Sequence, residues 1–277
     1  MSDERSYPTG VTCWVDTEQP DVDEARHFYA GLFGWTFTDA VPADVPGTYL
    51  IASVGGAVVA AIGPPQGDGP VEWNTYIAVD DADAAAAAVR TAGGSVTLGP
   101  VDAGPGGRLA ACVDPRGARF RLWQPRRRLG AQLTNAPGSW NFSDLHTGDA
   151  VAATGFYAPL FGWEFADLGF ATMIRRPGYG DHLAATVDPG IRERQEGISA
   201  PPGFADAIGW LAPPLTSNHD HWHVTFTVAS RDESATTAER LGAVVISSDD
   251  TEWTKSALIR DPQGAQLTLS QFTPPGG

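Results

Sequence analysis

Three histidines fall at every second position in the stretch NHDHWHVTF: His219, His221 and His223. Imidazole is both a general base near neutral pH and a common metal ligand, so this spacing raises two chemistries at once. A β-strand alternates its faces. In HWHVTFTV, Trp222, Val224, Phe226 and Val228 then form an apolar face suited to packing. His221, His223, Thr225 and Thr227 form the opposite, polar face, and His219 lies in the loop before the strand. His182 sits in GDHLAATV, close to the expected end of another strand. His27 reads as a helix-surface residue, and His146 receives no role.

Other catalytic signatures are missing. There is no GxSxG or HExxH, and the glycines of GDG and GPGG open no helix, so neither forms a phosphate loop. Two cysteines, Cys13 and Cys112, are too few for a disulfide framework or a Cys-rich zinc site. The 277 residues carry a net charge of −15, which disfavours both nucleic acid and anionic membranes. The opening MSDERSYPTG lacks the apolar core of a signal peptide, and no apolar run is long enough to span a bilayer. A cytoplasmic protein is expected, with no nucleic acid or membrane among its partners.

The elements that must position these residues repeat. FYAGLFGWTF begins at Phe28 and FYAPLFGWEF at Phe156, identical at eight of ten positions. DPRGARFRLWQ from Asp114 is echoed by DPQGAQLTLSQ from Asp261. The landmarks lie 86 residues apart in the first copy and 105 in the second, so the second carries 19 extra residues. Two tandem domains are expected, 1–133 and 134–277, with a Pro-rich insertion at about 188–218 that includes Phe204 and Trp210.

Each copy holds two units of one grammar. GVTCWVDT reads as a strand, Asp21 caps a helix through VDEARHFYAGLF, and Gly34 ends it. TFTDA, TYLIASV and AVVAAIG follow as strands, and VEWNTYIAV restarts the order. Pro159 inside the third helix pattern is expected to shorten or bend it.

Paired βαβββ modules, with FY..LFGW after the first strand and DP.GA before the last, resemble the vicinal oxygen chelate superfamily of glyoxalases, bleomycin-resistance proteins and extradiol dioxygenases. The match spans roughly Gly10 to Gln271, closest to a tandem-duplicated actinobacterial branch. The resemblance implies an α+β fold in which the two modules of each domain curl into an eight-stranded, half-open barrel with a cleft. It also implies that metal-binding members take His, Gln or Glu ligands from the first and last strands of each module. In the first copy those places hold Cys13 or Trp14, Asn74 and Arg121; in the second, Asn141 or Phe142, His223 and Thr268. The expected Glu is absent from both, so no cofactor is expected. The exception would be a divalent metal held by His182 and His223.

The aligned opening strands pair Trp14 with Phe142 and Asp16 with Asp144, and Asn74 alternates with Tyr76. Arg108, after the glycines of AGPGGR, is expected to reach over the first cleft, and Trp253 to lie near the last hairpin. With His182, Trp210, His221 and His223 these make aromatic-rich, metal-poor ligand sites. The expectation is a metal-free binder of a flat aromatic molecule in actinobacterial natural-product biosynthesis or self-resistance, of the anthracycline kind, with a biosynthetic enzyme as a second partner. The competing reading is a glyoxalase- or dioxygenase-like enzyme, or a cofactor-free hydroxylase-like one with His223 as general base.

Overall fold

The computed structural model describes residues 4–67, 69–169, 171–198, 200–215 and 220–273. The first module runs β1 (Thr12–Glu18), α1 (Val22–Phe33), β2 (Thr36–Asp39), β3 (Leu50–Val54) and β4 (Ala57–Gly63). The second is β5 (Trp73–Ala78), α2 (Ala82–Thr91), β6 (Ser95–Ala103), β7 (Gly107–Val113) and β8 (Arg119–Pro125). The second copy opens with β9 (Trp140–His146), α3 (Ala150–Phe161), β10 (Glu164–Asp167) and β11 (Thr172–Arg175). Two short helices, α4 (Tyr179–Ala185) and α5 (Ile191–Gly197), and a 3-10 turn at Phe204–Asp206 precede β12 (Ala207–Ala212). The last module is β13 (His221–Thr227), α6 (Arg231–Arg240), β14 (Val244–Asp250), β15 (Thr254–Arg260) and β16 (Gln266–Phe272).

Each copy contributes one open eight-stranded sheet. The orders are β2-β3-β4-β1-β5-β8-β7-β6 and β10-β11-β12-β9-β13-β16-β15-β14. Within every module the first and last strands pair in parallel, as β1 with β4 and β13 with β16, and the remaining pairs are antiparallel hairpins. The helices begin and end as their residues dictate. Asp21 accepts from the Glu24 N–H at the start of α1, and Gly34 takes a left-handed conformation after its end. Pro159 does not shorten α3, which has the same twelve-residue length as α1. It stands on the exposed face, where the lost backbone bond faces water.

The insertion enters earlier than the Pro-rich composition suggests. AIGWLA is not insertion loop but β12, the closing strand of its module, paired in parallel with β9. The extra residues therefore lie between β11 and β12. GDHLAATV, read as strand-adjacent, instead supplies α4.

The chain packs as two compact units, each drawing one module from each copy. One unit comprises Trp14–Asn74, Ala131–Phe142 and His223–Gly277. Its core stacks Tyr29, Phe33, Trp35, Trp73 and Phe226, with ring centroids mostly 5–6 Å apart. Helix α1 lies so close to α6 that a Cβ on Gly31 would meet Leu241 at 2.8 Å. The other unit comprises Met1–Cys13, Thr75–Gly130 and Ser143–Trp222. It gathers Phe120, Phe156, Tyr157, Phe161, Trp163 and Trp222 in the same way.

The two repeated landmarks meet inside these units. Tyr157, from the second FY..LFGW, donates its hydroxyl to Asp114 of the first DP.GA at 3.0 Å, and Trp222 Nε1 donates to the same hydroxyl at 3.0 Å. In the other unit Tyr29 donates to Asp261 at 2.8 Å, and Trp73 Nε1 donates to Tyr29 at 3.1 Å. The tryptophans of FGW also cross copies. Trp35 Nε1 donates to the Gly138 carbonyl, and Trp163 Nε1 to the Gly10 carbonyl, each just before an opening strand.

Candidate functional site

In the first copy the chemistry centres on Asp16. Alternation along β1 puts Trp14 and Asp16 on one face, with Val15 and Thr17 on the other. Asp16 is 1% exposed. A carboxylate so buried needs donors on its oxygens, and two side chains supply them. Tyr49 donates its hydroxyl to Oδ2 at 2.8 Å, and Asn74 Nδ2 donates to Oδ1 at 2.9 Å. Trp14 Nε1 in turn donates to the Tyr49 hydroxyl at 3.1 Å. Three of the four residues in this network stood out in the sequence. Tyr49 did not; the signal for it was alternation in TYLIASV, which sets Tyr49 and Ile51 on one face. In the other unit, Tyr76 is covered by Arg121. The guanidinium carbon lies 5.4 Å from the ring centroid, and Nη1 donates to the Tyr76 hydroxyl at 2.8 Å.

The second copy places Asp144 at the position of Asp16, but its surroundings differ. Strand register fixes the correspondence. Asp39 faces Leu50 across β2–β3, and Asp167 faces Thr172 across β10–β11. The residue before each, Tyr49 and Ala171, closes the hairpin with its carbonyl, accepting from the Ala40 and Leu168 N–H groups respectively. The phenol of the first copy is therefore a methyl in the second. Asp144 is only partly buried. Among the described residues it accepts one hydrogen bond, at 3.0 Å from the Trp210 N–H. Burial pushes its carboxyl up to about 7, against the pull of that N–H.

Register also brings an aromatic beside this acid. The pairing of Leu145 with Leu211 sets Trp210 opposite Asp144, where the first copy pairs Asp16 with Ala61. Phe204 lies against Trp210, with centroids 6.2 Å apart. Two residues beyond Asp144, on the same face of β9, is the buried His146. Its Nδ1 donates to the Pro213 carbonyl at 2.6 Å, and its ring stacks on His221 at 5.1 Å. Burial brings the His146 imidazole down to about 4, with His221 adding in the same direction and the Pro213 bond opposing. Sequence reasoning gave His146 no role; the signal was its alternation with Phe142 and Asp144 along β9. Phe142 is partly exposed on that strand.

Four expected site residues have partners of their own. His182 is on α4, not beside a strand end, and its Nε2 donates to the Ser6 carbonyl at 3.0 Å. Arg108 does not reach over a cleft. Asp83, at the start of α2, takes it in two bonds of 2.8 and 3.0 Å, and Asp102 adds a third at 3.3 Å. Carboxylates at short range outcompete an open reach. Trp253 stacks on the exposed Phe272 at the β14–β15 hairpin. His223 is buried, and its Nε2 bonds Thr268 Oγ1 at 2.8 Å. His219 lies outside the described residues. Replacing His223 with Ala leaves that hydroxyl without its partner and opens a void. We expect a loss of about 1–2 kcal/mol in unfolding free energy, with aromatic-ligand affinity within about twofold of the parent. Thermal melts and a titration of the same sample check both.

A divalent metal does not fit these donors. The last-strand place in the first copy holds the Arg121 cation, and its counterpart in the second holds a hydroxyl already bonded to His223. Among the described residues no three His, Cys, Asp or Glu side chains gather as ligands.

The description "Glyoxalase/Bleomycin resistance protein/Dioxygenase superfamily" matches residues 19–122, and a glyoxalase-like domain matches residues 142–270. The chain belongs to this superfamily. Among its superfamily relatives, CFP32 of Mycobacterium bovis, named as a candidate glyoxylase, is 34% identical over 99% of both chains. The anthracycline biosynthesis protein DnrV of Streptomyces peucetius is 34% identical, covering 96% of this chain and 94% of its own. In fold, the superfamily chain is similar to the Mn(II)-bound glyoxalase of Novosphingobium aromaticivorans. The TM-score is 0.61 at 16% identity, over 95% of this chain and 82% of the other. The superfamily supplies the scaffold; reaction or ligand depends on the side chains grafted onto it.

Proposed function

We propose that the chain is a metal-free binding protein for a flat aromatic small molecule, serving natural-product chemistry of the anthracycline kind named for its Streptomyces relatives. The observation that carries this reading is the pairing of an indole with an under-satisfied carboxyl. Trp210 lies opposite Asp144, and Asp144 keeps acceptor capacity that no described side chain fills. An aromatic face beside one oriented polar group is what a flat, hydroxylated ring system needs. The cellular site proposed is the cytoplasm, and a biosynthetic enzyme is the proposed macromolecular partner.

A second reading is favoured by one observation. A carboxyl held near 7 can take or give a proton at working pH, so a cofactor-free enzyme would use Asp144 rather than His223 as its base. One experiment separates the readings. The purified chain is titrated with an anthracycline aglycone while tryptophan fluorescence is followed, its metal content is measured, and the ligand is recovered for mass spectrometry. Saturable quenching without metal and with unchanged ligand is expected. A stoichiometric metal overturns the metal-free reading, and altered ligand installs the enzyme. Trp210→Ala should weaken binding about tenfold, the scale of one stacking platform.

A further inference from the structure

We infer that the second copy recognises a phenolic hydroxyl on its ligand, which donates to Asp144 as the hydroxyl of Tyr49 donates to Asp16 in the first copy. The inference rests on the aromatic-binding reading above and names the ligand group that reading leaves open.

The argument is a comparison of two equivalent carboxylates. Asp16 holds a phenol, at 2.8 Å from Tyr49, and an amide, at 2.9 Å from Asn74. Both donors come from the chain, so the first copy carries its own phenol. In the second copy the residue at the place of Tyr49 is Ala171, as the matching hairpin bonds Ala40 N–H to Tyr49 O and Leu168 N–H to Ala171 O establish. The residue at the place of Asn74 is His223, whose Nε2 is taken by Thr268. The carboxyl is kept and its side-chain donors are removed. Space changes in step: a tyrosine ring is lost at Ala171, while an indole is gained at Trp210 where the first copy has Ala61. A flat ring bearing one hydroxyl restores both parts, taking the volume of the missing phenol and lying beside Trp210. The Trp210 N–H already fixes one carboxyl oxygen, which orients the acid before the ligand arrives. A neutral alkyl ether in the same position gives Asp144 no proton and cannot substitute.

The test uses β-anthrol and its methyl ether, which share one flat frame, titrated calorimetrically into the full chain at pH 8. There Asp144 is ionised and the phenol is not. Parent protein should bind the phenol at least about tenfold more tightly than the ether, the scale of one charge-assisted hydrogen bond. Asp144→Asn should bring the two within about twofold. Ala171→Tyr, which returns the internal phenol, should abolish binding of both, and each variant's melt confirms that it is folded. Equal affinities for phenol and ether in the parent overturn this inference and leave the aromatic-binding reading standing. Undiminished phenol binding by a folded Ala171→Tyr overturns it too. Failure of the parent to bind either probe overturns both.

Discussion

Replacing Tyr157 with Phe is expected to lower the unfolding free energy by about 2–3 kcal/mol, because one hydroxyl there serves two buried partners. It donates to Asp114 at 3.0 Å and accepts from Trp222 Nε1 at 3.0 Å. Asp114 is buried, and burial raises its carboxyl above the ordinary range, opposed by the Arg116 and Ala118 N–H groups and by this hydroxyl. Taking the hydroxyl away removes a donor from a desolvated acid and strands an indole N–H in the core. Neither can turn to water. The fall in melting midpoint should be about 4–9 °C for a chain of this size. Tyr29→Phe should behave alike, since Tyr29 stands between Asp261 and Trp73 in the same way. A loss under about 0.5 kcal/mol in either variant would overturn the bridging role of that hydroxyl.

These bonds explain why two short phrases survive in both copies. FY..LFGW and DP.GA read in the sequence as a helix end and a hairpin turn, and both are. They also meet each other, the tyrosine of one copy against the aspartate of the other. Periodicity reports which face of an element is apolar but not which distant turn will lie against it, so the strand and helix order was legible and the lock was not. The same limit explains the misplaced insertion. AIGWLA is short, poor in β-branched residues and followed by two prolines, so composition assigns it to loop. It becomes a strand because β9 and β11 offer it hydrogen-bonding edges on both sides.

The site divides along the same line. Trp14, Asp16, Asn74 and Asp144 followed from alternation on the opening strands. Alternation in TYLIASV marks the face of Tyr49, but its meeting with Asp16 depends on the register of a hairpin with ten residues between Asp39 and Leu50. Arg108 was placed by its flexible glycine approach, yet electrostatics decided its partner, two carboxylates within 3.3 Å. Along the histidine stretch Trp222, Val224 and Phe226 are buried as the apolar set, and His223 and Thr227 of the polar set are buried with them. Its two described histidines serve different ends, His221 stacking on His146 and His223 bonding Thr268.

Asp144→Asn should stabilise the protein at pH 8 and leave it unchanged near pH 4. The sign follows from linkage. The carboxyl sits at about 7 in the fold against an ordinary 3.8, so the folded state holds its proton more tightly than the unfolded chain does. Folding is therefore favoured by protonation at low pH. That contribution is lost as pH rises between about 4 and 7, and above 7 the ionised acid is a constant burden. The full shift corresponds to about 4 kcal/mol; partial exposure of the side chain reduces this to roughly 2 kcal/mol. Asparagine carries no such charge, and its carbonyl can still accept from the Trp210 N–H. Melts of parent and variant should thus diverge with rising pH, the variant melting higher by about 4–8 °C at pH 8. A difference that stays flat with pH would mean that Asp144 titrates as an ordinary surface acid. The same variant should lose its preference for phenol over ether. Stability gained and recognition lost at one atom would mark Asp144 as a carboxyl kept at a cost to the fold, because only a ligand supplies the donor that the chain itself supplies to Asp16.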